Sequence, residues 1–395
     1  MITDILDEHL EEAEILWSRR RGALRSSSLS LLQLGALEAR LEAHLDGIAP
    51  GLDARLAACD DALAAGDEDR AFVAATLLLR SGAPGHPSRV LERFSDRAPA
   101  SRRGILDALC HLPLAGSSRR TLEGFVGGAD DSSAAAGLEV LGFHRVLDAG
   151  LLPRLARADA SELRLAVAQA AGRLPVAPEV IDGLARDRDV RVRDAALQAA
   201  IQRGLPDARA KLREVAASGA ATRTVLGLLA CVGDAQDVAL LRPRVTSPVF
   251  GEAALAGLAT LGIPATVPMM LEAMELPFLA RAAGQAFVRL TGIELPEMAI
   301  AAATPEEEDA RFEDLRPVPD ATASRQAWRE RADGFDPGLR WRGGRRLRAD
   351  DWIEDPHRGD LLTRREELMR LWATRPGTVP AIELDAPAAR QRGAG

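Results

Sequence analysis

Glycine or proline interrupts this chain at Gly82, Pro113, Gly142, Pro175, Gly204, Gly233, Gly262 and Gly292, at intervals of 31, 29, 33, 29, 29, 29 and 30 residues. Both residues end helices, glycine by taking a left-handed turn and proline by lacking an amide donor. Four positions before these stops stand Leu78, Leu109, Leu138, Ala171, Ala200, Leu229, Leu258 and Val288. Eight positions before them stand Ala74, Ile105, Ala134, Val167, Ala196, Val225, Ala254 and Gly284. All sixteen are apolar or small, and the four-residue spacing sets each pair on one helix face. A second short helical stretch lies between each stop and the next apolar helix, as in Pro206 to Ala217, Ala235 to Arg242 and Thr266 to Met274. The unit is therefore helix–turn–helix. Neither helix can bury its apolar face alone, so units must stack on one another. The expected fold class is all-α: an α-solenoid of about eight helix pairs over residues 67–297.

Composition agrees with that expectation. Of 395 residues, 47% are apolar and 27% charged, but only 4% are aromatic and none is Tyr. The core must be built from Ala, Leu and Val, and small residues eight before each stop would let neighbouring helices approach closely. Fifty Lys and Arg against 58 Asp and Glu leave a net charge of -8, which argues against a general nucleic-acid binder. Cys59, Cys110 and Cys231 lie far apart in helical patterns and read as reduced thiols. The opening Met1 to Glu8 is acidic and amphipathic, unlike a signal peptide, and no apolar run is long enough to span a bilayer. A cytoplasmic protein is expected.

The sharpest unit is Asp187-Arg188-Asp189-Val190-Arg191-Val192-Arg193-Asp194-Ala195-Ala196-Leu197. It resembles the HEAT repeat, and the short unit is similar to the bacterial HEAT-like variety also seen in phycobilin lyases. The resemblance implies an Asp–Arg ladder between neighbouring units. Arg102, Arg164, Arg193 and Arg281 all stand eleven before a stop. They could form a basic stripe on the concave face, or pair with the Asp of an adjacent turn such as Asp159 or Asp189; the pairing is favoured. Gly204, Gly233, Gly262 and Gly292 are the structural positions that close the last four units.

Residues 1–66 break the register but stay helical, and read as an N-terminal cap. The alternative is a docking surface around Trp17 and Arg19-Arg20-Arg21. Residues 298–323 have linker composition. From 324 onward the chain holds four of its five tryptophans, Trp328, Trp341, Trp352 and Trp372, and five arginines within Arg340–Arg348. Arg and Trp dominate interaction hot spots, so Arg340, Trp341, Arg345, Arg346 and Arg348 are candidate partner-binding residues. The competing expectation is that the tryptophans anchor a small appendage while the arginines face water. Ala386 to Gly395 is expected to be disordered.

The chain as a whole is similar to a group of uncharacterised bacterial HEAT-repeat proteins often encoded beside type VI secretion genes. The shared stretches are His9 to Trp17, Ala43-His44-Leu45-Asp46-Gly47, Leu290-Thr291-Gly292 and Trp328 to Leu347. The resemblance implies a cytoplasmic scaffold or adaptor, handling a secreted effector or spike component, and supplies no catalytic residue. None of the six histidines pairs at metal-site spacing, and Cys110-His111, being adjacent, diverge on a helix. No nucleophile elbow, phosphate loop or dinucleotide fingerprint occurs. Asp130-Asp131 and Asp350-Asp351 sit where carboxylates cap helices. The expectation is a non-catalytic module that binds another protein, with no cofactor, metal or nucleic acid. A HEAT-fold enzyme, bilin lyase-like or alkylbase DNA glycosylase-like, is the alternative; a glycosylase would need aromatic residues in a basic groove, yet residues 67–292 contain no Trp or Tyr.

Overall fold

A computed structural model describes residues 3–93, 99–295, 297–298 and 318–393. The chain is mostly helical, and no helix among the described residues is long and apolar enough to cross a membrane. It divides into two compact units, one drawn from Met1–Leu205 and Trp352–Gly395, the other from Pro206–Asp351.

The first unit opens with α1 (Thr3–Ala23) and α2 (Leu31–Ile48), which pack together. Ser30 and Gln33 form a capping box at the start of α2. There follow α3 (Leu56–Ala64), α4 (Glu68–Arg80), α5 (His86–Glu92), α6 (Pro99–His111), α7 (Gly116–Gly127), α8 (Asp131–Phe143), α9 (Leu152–Leu155), α10 (Ser161–Arg173), α11 (Pro178–Leu184) and α12 (Val190–Gln202). The apolar helices touch in succession: α4 on α6, α6 on α8, α8 on α10, and α10 on α12. Four of these five also carry shorter companions, α3 and α5 on α4, α7 on α8, α9 on α10 and α11 on α12. Asp67, Asp130 and Asp189 cap α4, α8 and α12 through their carboxylates.

Trp17 does not offer a docking surface. It is buried, stacked on Phe72 of α4 with ring centroids 3.4 Å apart, and Arg20 lies over its ring. Arg20 itself is buried and ion-paired with Glu38 at 2.9 Å, while Arg21 bonds Glu68 and Asp69.

The second unit repeats the pattern with α13 (Ala208–Ala217), α14 (Arg223–Val232), α15 (Val238–Leu241), α16 (Gly251–Leu261), α17 (Val267–Ala273) and α18 (Ala280–Thr291). Here α14 packs on α16 and α16 on α18. Of the expected linker, 299–317 lies outside the described residues. The rest is ordered: β1 (Glu297–Met298) pairs antiparallel with β2 (Val318–Pro319), and a helix already begins at Ala321, running to Arg331. A second pair, β3 (Trp341–Arg342) with β4 (Arg345–Arg346), forms a tight hairpin.

The sequence register is visible as burial. All eight residues at the minus-eight position are buried, and so are seven of eight at minus-four. The exception, Val288, is 36% exposed on α18, the last helix of the series. Gly82, Gly204, Gly262 and Gly292 adopt the left-handed turn expected of a stop. Two glycines do not. Gly142 lies inside α8, where its bare Cα meets Ala170 of α10, and the left-handed residue after that helix is Arg145. Gly233 follows α14 in extended backbone.

The expected disorder of the C-terminal stretch is overturned for its described part. Helix Leu361–Thr374 packs on α12, and Trp372 and Pro376 close over Gly204. The chain then runs back over the helix ends. Arg145 donates to the carbonyl of Ala381, and Arg173 at the end of α10 pairs with Glu383 at 2.5 Å. Arg20 donates to the Asp385 carbonyl, and Arg390 to the Cys110 carbonyl at the end of α6. The short helix Ala388–Arg392 ends beside α2, where Glu38 accepts from the Ala388 amide at 2.8 Å. Ala386, Ala388 and Gln391 are each at most 1% exposed.

At Gly104 the backbones of α4 and α6 come into close contact. A Cβ there would collide with the Glu68 carbonyl and lie 2.7 Å from the Phe72 amide nitrogen. Gly104→Ala should therefore cost about 1–3 kcal/mol, because two helix backbones must separate to admit one methyl group. Urea unfolding monitored by helical circular dichroism checks this, and a loss below about 0.5 kcal/mol, the size of an ordinary surface change, would contradict it.

Candidate functional site

Two of the four arginines singled out by repeat position, Arg164 and Arg193, are buried in ion pairs. Arg164 is buried and grips Asp187 with two bonds, Nε at 2.6 Å and an Nη at 3.0 Å, while its other Nη donates to the carbonyls of Ala158 and Asp159. The partner lies in the next turn, as a ladder requires, but is Asp187; Asp189 is occupied in capping α12 and bonding Arg191. Arg193 is buried against Asp194. In the second unit the same chemistry joins Arg213 to Asp237 at 2.6 Å. With Arg164 and Arg193 buried, the four positions do not form a basic stripe; Arg281 alone of them is exposed.

The structure divides the C-terminal candidates between two roles. Trp341 and Arg340 are anchors. The Trp341 amide donates to the Gly262 carbonyl at 2.7 Å, Arg340 donates to the carbonyls of Thr260 and Leu261, and the Trp341 indole donates to Asp336. Gly343 and Gly344 donate to Arg289 and Leu290, so the hairpin closes the ends of both α16 and α18. Left-handed Gly262 and Gly292 make this possible, since a Cβ on either would strike the hairpin backbone. An aromatic chain of Phe287, Trp328, Phe335 and Trp341 continues the packing. Arg345, Arg346 and Arg348, by contrast, are exposed. The result is a backbone-anchored hairpin that exposes Arg345 and Arg346, with Arg348 exposed just beyond it.

Sequence reasoning missed a groove of about 630 Å³ in the first unit. Leu79, Leu109, Leu112, Pro113 and Leu114 form apolar walls, and Ala39 of α2 faces them. The remaining wall is the short helix Ala388–Arg392, which sets Arg392 over Gly35 at one end while Arg390 turns to the Cys110 carbonyl. At the other end Glu42 pairs with Arg80 at 2.7 Å and lies 3.6 Å from His111 Nε2. His111 and Arg80 hold the Glu42 carboxyl below the usual carboxylate range despite its burial. The only sequence hint was Pro387 just before a run of helix formers, a residue pattern suited to a helix start.

A smaller, polar cavity of about 220 Å³ lies beside Trp17, lined by Arg103, Asp107, Cys110, Glu139 and Arg173 among others. Arg103 bridges Asp107 and Glu139. Burial, with those two acids nearby, pushes the Cys110 thiol well above its ordinary range. Cys59 and Cys231 are buried too. Among the described residues no group of three or more His, Cys, Asp or Glu is placed to hold a metal ion. Two histidines far apart in sequence do meet: His9 and His44 lie 3.0 Å apart through their Nδ1 atoms, one donating and the other accepting.

No protein-family model, curated protein or solved structure matches this chain.

The Arg164–Asp187 pair yields a test of the ladder. Hydrogen bonding from Arg164 holds the Asp187 carboxyl below its usual range. A depressed native value adds stability that is present above the unfolded value near ~3.9 and lost as pH falls through the native one. Asp187→Ala should cost about 3 kcal/mol at pH 7, since it strands a buried guanidinium. The gap to the parent should narrow below about pH 4, where the parent protonates Asp187 as well. Parallel denaturation at pH 7 and pH 3 reads both; a gap that is constant with pH would contradict the assignment.

Proposed function

We propose that this chain is a non-catalytic scaffold or adaptor whose helix pairs form a HEAT-like solenoid and whose partner is another protein. The observation that carries the reading is the anchored hairpin. Its backbone is hydrogen-bonded to the ends of α16 and α18, so Arg345, Arg346 and Arg348 are presented from a fixed base. A backbone already anchored needs no further ordering on binding, and planar guanidinium forks suit carboxylates. The partner surface is therefore acidic. The reading of a cytoplasmic protein serving a secreted effector or spike component rests on the sequence resemblance. Its four stretches do meet in pairs: His9 with His44 and Gly47 at the α1–α2 contact, and Leu290 and Gly292 with the Gly343–Gly344 turn inside the Trp328–Leu347 stretch.

Recovery of partners with the native protein, compared with an Arg345→Glu/Arg346→Glu/Arg348→Glu variant, tests this. A specific acidic protein should be recovered by the parent and lost by the variant, with helical circular dichroism unchanged. The association rate should fall about tenfold or more, and parent binding should weaken as salt is raised. Equal recovery by both proteins, or capture of duplex DNA in place of a protein, would overturn the reading.

A further inference from the structure

The groove of the first unit has an unbalanced charge. Two carboxylates reach it, and each is already claimed: Glu38 by Arg20 and the Ala388 amide, Glu42 by Arg80 and His111. Arg392, toward the Gly35 end, has no carboxylate partner among the described residues, and Arg390 forms no ion pair there although Glu383 lies near it. Arg390 donates to the Cys110 carbonyl and lies over the Phe143 ring, 5.2 Å from its centroid. Arg392 is exposed and leans over Gly35, its guanidinium 3.5 Å from where a Cβ would stand. Burial pulls Arg390 below the ordinary guanidinium range, with nearby Glu383 acting against it. Between the charged ends the walls are leucine, proline and alanine, in a volume of the size that encloses small ligands.

We infer that this groove binds a small amphipathic carboxylic acid, its apolar body against Leu79, Leu109, Leu112 and Leu114 and its carboxylate on Arg392. A carboxylate supplies the partner that Arg392 lacks, since a guanidinium fork donates to both carboxylate oxygens. A cationic amphiphile of the same length would set like charge against Arg390 and Arg392, and a neutral alcohol would fill the walls without the ion pair. The site is independent of the hairpin and stands or falls apart from the protein-binding reading.

Titration calorimetry on the full chain with decanoate, decanol and decyltrimethylammonium tests it. Decanoate should bind about tenfold more tightly than decanol, and the cation should not bind measurably. Arg392→Glu is an exposed change that spares the fold; it should remove the preference for decanoate and leave decanol binding as it was. Ala39→Phe, on the exposed side of α2, should fill the groove and abolish binding of both, with the melting curve unchanged. No heat with decanoate at millimolar concentration would overturn the assignment. So would equal binding of decanoate and the cation, or decanoate binding unaffected by both variants.

Discussion

Lateral contact between short helices, brought close by residues with little side chain, is the constraint on which the rest depends. Helices of 10 to 13 residues such as α4, α6, α8, α10, α12 and α14 are too short to be stable alone in water. Their apolar faces offer mainly Ala, Leu and Val, so burial comes from close approach rather than from large aromatic groups. Gly104 shows the limit of this strategy, with one helix backbone resting against another. The same economy makes the few aromatics local staples: Trp17 on Phe72 in the first unit, and the chain from Phe287 to Trp341 in the second.

Close lateral packing leaves helix ends to be satisfied, and the C-terminal residues do this in each unit. In the second, the Trp341–Arg346 hairpin takes the terminal carbonyls of α16 and α18. In the first, residues 372–392 follow the ends of α12, α8, α10 and α6 back to α2, using arginine donors and one buried carboxylate, Glu38. Both groups of contacts depend on the left-handed glycines. A stop without a Cβ ends its helix and also clears room for the strand or loop that covers it.

The period of the helix stops made the helical fold legible, and the residues four and eight before each stop predicted the buried faces correctly except at Val288. Pairing of Arg164 across a turn was also legible in kind, though the partner is Asp187, two residues before Asp189 and in the turn after that of Asp159. Gly142 and Gly233 show why a composition rule is not a conformation: each serves a close approach instead of a left-handed turn. The groove was not legible. Its walls come from α2, α4, the α6–α7 connection and the final helix, which lie up to 350 residues apart, and a tail of Ala, Pro, Gly and Arg carries no periodic signal of burial. Trp341 and Arg340 looked like recognition residues because hot-spot composition and anchoring composition are the same; only their hydrogen bonds to Gly262, Thr260 and Leu261 separate the two.

Amide hydrogen exchange measures most directly whether the chain's last residues are part of the packed first unit. The amides of Ala388 and Gln391, bonded to Glu38 and Pro387, should exchange about as slowly as those at the centres of α6 and α10. Exchange of residues 382–392 at the rate of an unstructured peptide, with α4 to α12 still protected, would contradict the account.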